Sequence, residues 1–164
     1  MAAKQLNHKE SLINLQVDYP EIHPETLKLL ESYIEMYGTI VSALYMAETD
    51  NNIDEVKIVT DEVMRALYFS RTNIPYGAEK HKIHIGIYGF PHNVWTKLLY
   101  DYGNIRYEYY YKDQYKDQYR GENLEQLYWL YLGHEINMFP TGKVPSINTQ
   151  TDLDRLRERT SSVS

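Results

Sequence analysis

Residues 25–48 have the sequence ETLKLLESYIEMYGTIVSALYMAE, and this stretch decides the predicted fold. Apolar side chains recur along it at alternating steps of three and four residues, a spacing that brings side chains to one face of an α-helix. The recurring positions are Leu27, Leu30, Ile34, Tyr37, Val41 and Leu44. Other apolar residues widen this stripe. The sequence therefore predicts one long helix over 25–48, started by Pro24, with Gly38 in its middle.

A second helix is predicted over 53–70, after the turn-forming residues Thr49-Asp50-Asn51-Asn52. The short break predicts that the two helices form an antiparallel hairpin. One partner helix cannot cover the wide apolar stripe of the first, so we expect two copies of the hairpin to pair as a homodimer. The stripe residues Leu27, Leu30, Ile34, Tyr37, Val41 and Leu44 are the predicted oligomer interface.

The pattern changes after residue 80. Ile83, Ile85 and Ile87 alternate with other residues, which predicts a half-buried strand over 83–88. A helix is predicted over 92–102, a second strand over 105–111, and further helices over 122–137 and 152–159. Whether the two strands pair in parallel or antiparallel stays open. The predicted fold is α+β and mainly helical, with a small two-stranded sheet, and an all-α fold is the alternative. We expect one compact domain over 1–159 and a frayed tail over 160–164.

Composition excludes several classes of function. The chain has 164 residues with 17 Lys and Arg against 23 Asp and Glu, a net charge of −6. The acidic balance argues against a protein built to bind nucleic-acid phosphates. The absence of cysteine excludes disulfides, thiolate nucleophiles and cysteine-ligated metals. The first residues do not resemble a signal peptide, and no apolar run is long enough to cross a membrane, so we expect a cytoplasmic protein.

Tyrosine is the compositional anomaly, with 17 Tyr against 3 Phe and 2 Trp. Tyrosine combines an apolar ring with a hydroxyl group and is enriched in protein interfaces. Arg106, Tyr107, Tyr109 and Tyr110 place rings on both faces of the second predicted strand, which indicates a binding surface. Such rings can also stack on bases, but the acidic residues interleaved with nearby Lys and Arg make nucleic acid an unfavourable partner.

Catalytic and metal-binding motifs are incomplete in this sequence. His134-Glu135 begins the helical zinc-protease motif, but Met138 stands where the second histidine is required. There is no Gly-x-Ser-x-Gly nucleophile motif and no glycine-rich phosphate loop. The sequence therefore predicts no catalytic residue, no metal and no cofactor.

The functional hypothesis is a non-enzymatic regulator, adaptor or inhibitor that binds another protein through its Tyr-rich, acidic surface, as a homo-oligomer. The first alternative is a protein that binds a small nucleotide-like or aromatic ligand in a pocket formed by His84, Tyr88, Trp95 and Arg106. The third is a single-stranded nucleic-acid binder, or a small enzyme that uses His and Tyr as acid and base.

Overall fold

A six-stranded sheet with helices on both faces forms the core of the protein. The computed structural model describes residues 10–48, 52–102, 122 and 124–161. The strands are β1 (Leu12–Leu15), β2 (Ile40–Glu48), β3 (Lys57–Thr60), β4 (Ala66–Ser70), β5 (Lys80–Phe90) and β6 (Ile136–Pro140). The helices are α1 (Pro24–Tyr37), α2 (His92–Tyr102), α3 (Glu125–Tyr131) and α4 (Gln150–Ser161).

β5 is the central strand, in the sheet order β4-β3-β5-β2-β6. β2 runs antiparallel to β5 along one edge and parallel to β6 on its other side. The second edge of β5 is divided between two strands: β3 pairs with residues 82–83 and β1 pairs with residues 87–90, both antiparallel. β1 therefore ends beside the middle of β5, where β3 begins. The backbone continues this division, since Gln16 N donates to Gly86 O and His84 N donates to Val56 O, at 2.9 and 2.8 Å.

Both faces of β5 are buried. Ile83, Ile85 and Ile87 face α1 and pack in a cluster with Leu30 and Ile34. The residues that alternate with them face α2 and α3, where Tyr88 and Phe90 pack against Trp95 and Trp129. The strand predicted over 83–88 is confirmed, and it extends from Lys80 to Phe90. The expectation that only one face is buried is wrong.

The long helix predicted over 25–48 is wrong beyond Tyr37. Gly38 adopts φ of 64°, and its backbone N–H donates to Ile34 O at 2.9 Å, the arrangement that ends a helix at a left-handed glycine. β2 begins two residues later. Every residue of β2 from Ile40 to Tyr45 is buried. A strand buried on both faces has no polar alternation, so its apolar run continued the three-and-four spacing of the helix by coincidence.

The second predicted helix, over 53–70, is also wrong, because this stretch forms β3 and β4. The Asp61 carboxylate accepts hydrogen bonds from the backbone N–H groups of Val63 and Arg65, at 3.0 and 2.8 Å, and so closes the turn between the strands. The predicted helical hairpin therefore does not form. The mainly helical α+β fold and the all-α alternative are both corrected to a mixed α/β fold with a mostly antiparallel sheet of six strands.

Other predicted elements have separate outcomes. The helix over 92–102 and the C-terminal helix are confirmed as α2 and α4. The helix predicted over 122–137 is α3 followed by β6. The strand predicted over 105–111 lies outside the described residues. No helix in the described part of the chain is long and apolar enough to cross a membrane.

The predicted oligomer interface lies largely in the interior of the chain. Leu30, Ile34, Val41 and Leu44 are at most 3% exposed and contact residues of the same chain. Leu27 packs partly against the α1 side of the core, and Tyr37 is 42% exposed. The apolar stripe that indicated a second copy is thus covered by the protein's own sheet at four of its six positions.

Candidate functional site

A polar cavity of about 490 Å³ opens where β1 and β3 diverge along β5. Its position follows from the sheet, because the middle of β5 lies between the end of one strand and the start of the other. Residues that follow β1 and β4, residues that precede β3, and the start of α3 contribute its walls. The polar side chains that line it include Gln16, Asp18, Asp54, Arg71, Gln126 and Asn148.

Gly86 allows the segment after β1 to lie close to β5. A Cβ atom at this position would overlap the Gln16 side chain and would come within 2.8 Å of the Tyr19 ring. The same segment anchors a distant part of the chain, since Asp18 O accepts a hydrogen bond from Ile147 N at 2.8 Å. This bond brings Asn148 to the cavity, beside Asp18. Residues separated by most of the sequence therefore meet at one wall.

His84 is a neutral side chain in the floor of the cavity. Its Nε2 lies 3.1 Å from Ser42 Oγ, and that hydroxyl donates its single proton to Ile87 O at 2.7 Å. Ser42 Oγ can therefore only accept from His84, which places the imidazole proton on Nε2 and leaves Nδ1 as an acceptor. Burial lowers the pKa of His84 to about 3, because the apolar surroundings disfavour the charged form.

Tyr88 and Gln126 form a buried polar pair next to His84. Gln126 Nε2 donates to the Tyr88 hydroxyl, and the two side chains are 5% and 2% exposed. Burial raises the pKa of Tyr88, so its hydroxyl keeps its proton. Gln126 Oε1 is buried and has no hydrogen-bond partner. A buried acceptor without a partner costs free energy, so the hydrogen-bonding capacity of this amide is only partly used within the described part of the chain.

Arg71 supplies positive charge at the edge of the cavity. Its Nη1 donates to Ile53 O at 3.2 Å. A guanidinium group has five N–H donors, so donors remain for an anionic ligand. Asp18, Asp54 and Glu125 add carboxylate acceptors. The cavity thus offers a cation, several hydroxyl acceptors and a tyrosine donor, a combination that suits a ligand with both an acidic group and several hydroxyls.

The residues of the predicted ligand pocket do not all meet. His84 and Tyr88 line this cavity together. Trp95 instead lines a separate apolar cavity of about 120 Å³, and its Nε1 donates to Glu10 O at 3.0 Å. The other predicted binding residues, Arg106, Tyr107, Tyr109 and Tyr110, lie outside the described residues.

Most of the polar lining has no local signal in the sequence. Gln16, Asp18, Arg71, Gln126 and Asn148 come from four separate segments, and none belongs to a local motif. Gly86, flanked by β-branched residues in a strand, was the one local sign that another segment approaches closely. In the described part of the chain, no three His, Asp or Glu side chains are close enough together to hold a metal ion.

Comparison with known proteins shows similarity to one group of enzymes. No protein-family model matches the chain. The 3-deoxy-manno-octulosonate cytidylyltransferase of Rickettsia prowazekii (strain Madrid E) is 33% identical over 148 residues, which cover 88% of this chain and 55% of that protein. The enzyme of the same name from Rhodopseudomonas palustris (strain BisB5) is 30% identical over 158 residues, 90% of this chain and 59% of that protein.

A solved structure has the same fold. It is described as CMP:2-keto-3-deoxy-manno-octonic acid synthetase complexed with CTP, and it superposes with a TM-score of 0.75 at 23% sequence identity. The match covers 94% of this chain and 63% of that one. The chain therefore spans between about half and two thirds of the length of the proteins it resembles.

These similarities overturn the functional hypothesis from the sequence. A regulator, adaptor or inhibitor without enzymatic activity was expected, but the sequence relatives are named as cytidylyltransferases, and the solved structure with this fold is named as a synthetase. The helical hairpin from which the homo-oligomer was predicted is absent, because β2 replaces the second half of its first helix, and β3 and β4 replace its second helix. The strands were mistaken for helices because the central sheet is buried on both faces, and its strands therefore lack the polar alternation of a half-buried strand.

Proposed function

We propose that this chain binds a sugar acid of the 3-deoxy-manno-octulosonate type in the β1–β3 cavity and forms the sugar-binding part of a cytidylyltransferase. The observation that carries the proposal is a polar cavity lined by a neutral histidine, an arginine and Gln126, whose buried Oε1 has no hydrogen-bond partner. The similarity to proteins named for this reaction supports the same substrate class.

The polar groups of the cavity complement such a sugar acid. Its carboxylate would pair with the guanidinium group of Arg71, a charge-assisted interaction with the geometry that favours arginine. Its hydroxyls would donate to Gln126 Oε1 and to Nδ1 of His84, both acceptors. The Tyr88 hydroxyl, which accepts from Gln126, still has a proton to donate to a sugar oxygen.

The role of these residues in cytidylyl transfer is to position the sugar. In this reaction a sugar hydroxyl oxygen attacks the α-phosphorus of CTP and loses its proton to solvent. A new P–O bond forms, the bond between the α-phosphorus and the oxygen that bridges to the β-phosphate breaks, and pyrophosphate leaves. A hydroxyl that is held in the right orientation reacts much faster than one that diffuses freely. The neutral His84 and the Tyr88–Gln126 pair are buried in the cavity floor and are suited to this orientation.

Titration calorimetry with 3-deoxy-manno-octulosonate tests the proposal. We expect binding to the wild-type chain, and we expect Arg71→Gln and Gln126→Leu each to weaken it by about 10- to 100-fold, since each removes a hydrogen bond to a charged or buried group. Arg157→Gln is the matched control, because Arg157 is exposed on α4 and pairs with Asp154 at 3.3 Å, outside the cavity.

The result that contradicts the proposal is a wild-type protein that shows no binding at millimolar sugar acid, or an Arg71→Gln variant that binds as well as Arg157→Gln. A coupled assay for pyrophosphate release in the presence of CTP then measures whether the chain performs the transfer. Binding without pyrophosphate release supports the sugar-binding role and separates it from the complete reaction.

A further inference from the structure

The backbone of Arg71 is held by charged side chains on both sides, although the residue itself is exposed. The carboxylate of Glu122 accepts a hydrogen bond from Arg71 N at 2.9 Å. The ammonium group of Lys57 donates to Arg71 O at 3.4 Å. The carboxylate accepts from the N–H group and the ammonium group donates to the carbonyl, so both contacts are charge-assisted hydrogen bonds.

Lys57 is an unusual residue because it is only 1% exposed. Burying an ammonium group costs free energy unless its three protons find acceptors. Here Nζ donates to Glu55 O at 2.9 Å and to Asn52 O, in addition to Arg71 O. All three acceptors are backbone carbonyls: one belongs to Arg71, which lines the cavity, and two belong to the 52–55 loop, which contains the lining residue Asp54.

The loop that Lys57 organises also shapes the cavity directly. Residues 52–55 wrap around the ammonium group, and Asp54 N is held by the Asn52 side chain at 2.9 Å. This conformation places Asp54 in the cavity lining and presents Ile53 O to the guanidinium group of Arg71. The buried Lys57 therefore contacts Arg71 in two ways. It binds the Arg71 carbonyl directly, and it holds the loop whose Ile53 carbonyl accepts from the Arg71 side chain.

Glu122 completes the arrangement from a distant part of the chain, 51 positions from Arg71. Its Oε1 accepts from Ser70 Oγ at 2.5 Å, while its Oε2 binds Arg71 N. Ser70 is fully buried at the end of β4 and directly precedes Arg71. The Glu122 carboxylate therefore binds two consecutive residues, Ser70 through its hydroxyl and Arg71 through its backbone N–H.

We propose that Lys57 and Glu122 are positioning residues for Arg71 and hold its guanidinium group ready for the acidic group of the ligand. This inference rests on the proposed function of the cavity. It extends that function to two residues outside the lining, which act through the peptide groups of Arg71 and not through contact with the ligand.

A double-mutant cycle tests this role. We expect Lys57→Met and Glu122→Gln each to raise the Kd for 3-deoxy-manno-octulosonate about tenfold, because the guanidinium group loses its fixed position. In an Arg71→Gln background the same substitutions change the Kd by less than about twofold, since their effect passes through Arg71. Lys82→Met is the matched control, because Lys82 is a lysine of the same sheet that donates to Thr60 and not to the cavity wall.

A second measurement does not need the ligand. In ¹⁵N-labelled protein we expect the backbone amide of Arg71 to exchange with solvent about tenfold faster in Glu122→Gln than in wild type, because its acceptor loses charge. The amides of the β3–β4 ladder should be unchanged. Glu122 is only half-buried, so this variant tests the inference even where Lys57→Met fails to fold.

Each outcome decides between the alternatives. Equal losses of affinity in the wild-type and Arg71→Gln backgrounds identify a general structural role and overturn the inference. Normal affinity in both single variants also overturns it. Absence of sugar-acid binding by the wild type contradicts the proposed function instead, and the amide exchange of Arg71 then decides by itself whether Glu122 holds this residue.

Discussion

The buried His84 predicts an acid-sensitive fold, which can be measured against a non-titrating variant. In the folded protein burial lowers the pKa of His84 to about 3, whereas the unfolded chain has the ordinary value of 6.5. The unfolded state therefore binds more protons between these two values. It follows that the stability contributed by neutral His84 is complete above pH 6.5 and is lost as the pH falls toward 3.

The size of the effect follows from the two pKa values. At pH 5.0 the unfolded histidine lies 1.5 pH units below its pKa, and at about 1.36 kcal/mol per unit the folded state loses about 2 kcal/mol relative to pH 7.5. This is a large part of the stability of a typical domain. The loss arises because His84 is buried, with its Nε2 bonded to Ser42 and its ring against Phe69 and Tyr88, so that a charge on the ring would be poorly solvated.

Urea denaturation at pH 7.5 and pH 5.0 checks this prediction. From pH 7.5 to pH 5.0 we expect the free energy of unfolding to decrease in both proteins. The decrease should be about 2 kcal/mol smaller in His84→Gln, which lacks the titrating group, than in the wild type. The control is Met36→Leu, which changes an exposed side chain of α1 that carries no titrating group and should retain the wild-type pH dependence. The reasoning is refuted if His84→Gln and wild type show the same pH dependence.

Two glycines of β5 and one core leucine should respond differently to substitution. Gly89→Ala places a Cβ atom against the Ile34 side chain between α1 and the sheet, and we expect a loss of about 1–3 kcal/mol in urea denaturation. Gly86→Ala instead displaces the Gln16 side chain from the cavity, so calorimetry should show weakened sugar-acid binding with the larger part of the fold retained. Leu30→Ala removes a fully buried side chain of α1, and thermal denaturation should reveal a loss of about 2–5 kcal/mol.

The elements that sequence analysis predicted correctly have strong local signals. α1 begins at Pro24, after a His23 side chain that accepts from Glu25 N, and proline is favoured in the first helical turn. The alternating isoleucines identified β5, and the charged C-terminal segment identified α4. Each of these signals depends on residues that are close together in the chain.

The errors concentrate in strands whose burial cannot be seen locally. β2 is apolar on both faces, so its residues continued the spacing of α1, and Gly38 was interpreted as a helix crossing although it ends the helix. β3 and β4 are short and joined by a turn that Asp61 closes, and their apolar residues happened to match a helical seam. Helical spacing indicates a helix only where polar residues mark the opposite face.

In the candidate site, some residues lie on an element that the sequence predicts, and others are brought there only by tertiary contacts. His84 and Tyr88 were predicted as ligand-binding residues, because they alternate with isoleucines on a recognisable strand. Gln126 and Asn148 were not, since their place in the cavity depends on how α3 and the segment before α4 reach the sheet. No spacing within one segment could reveal that contact.

The amino-acid sequence by itself determined the acidic charge, the absence of thiol chemistry and the local elements whose residues lie within one or two turns of each other. Only the tertiary structure decided that β1 and β3 share one edge of β5 and leave a polar cavity between them. Strand pairing joins residues that are far apart in the chain. Because both faces of the sheet are buried, its strands lack the alternation of polar and apolar residues by which a strand is identified in a sequence.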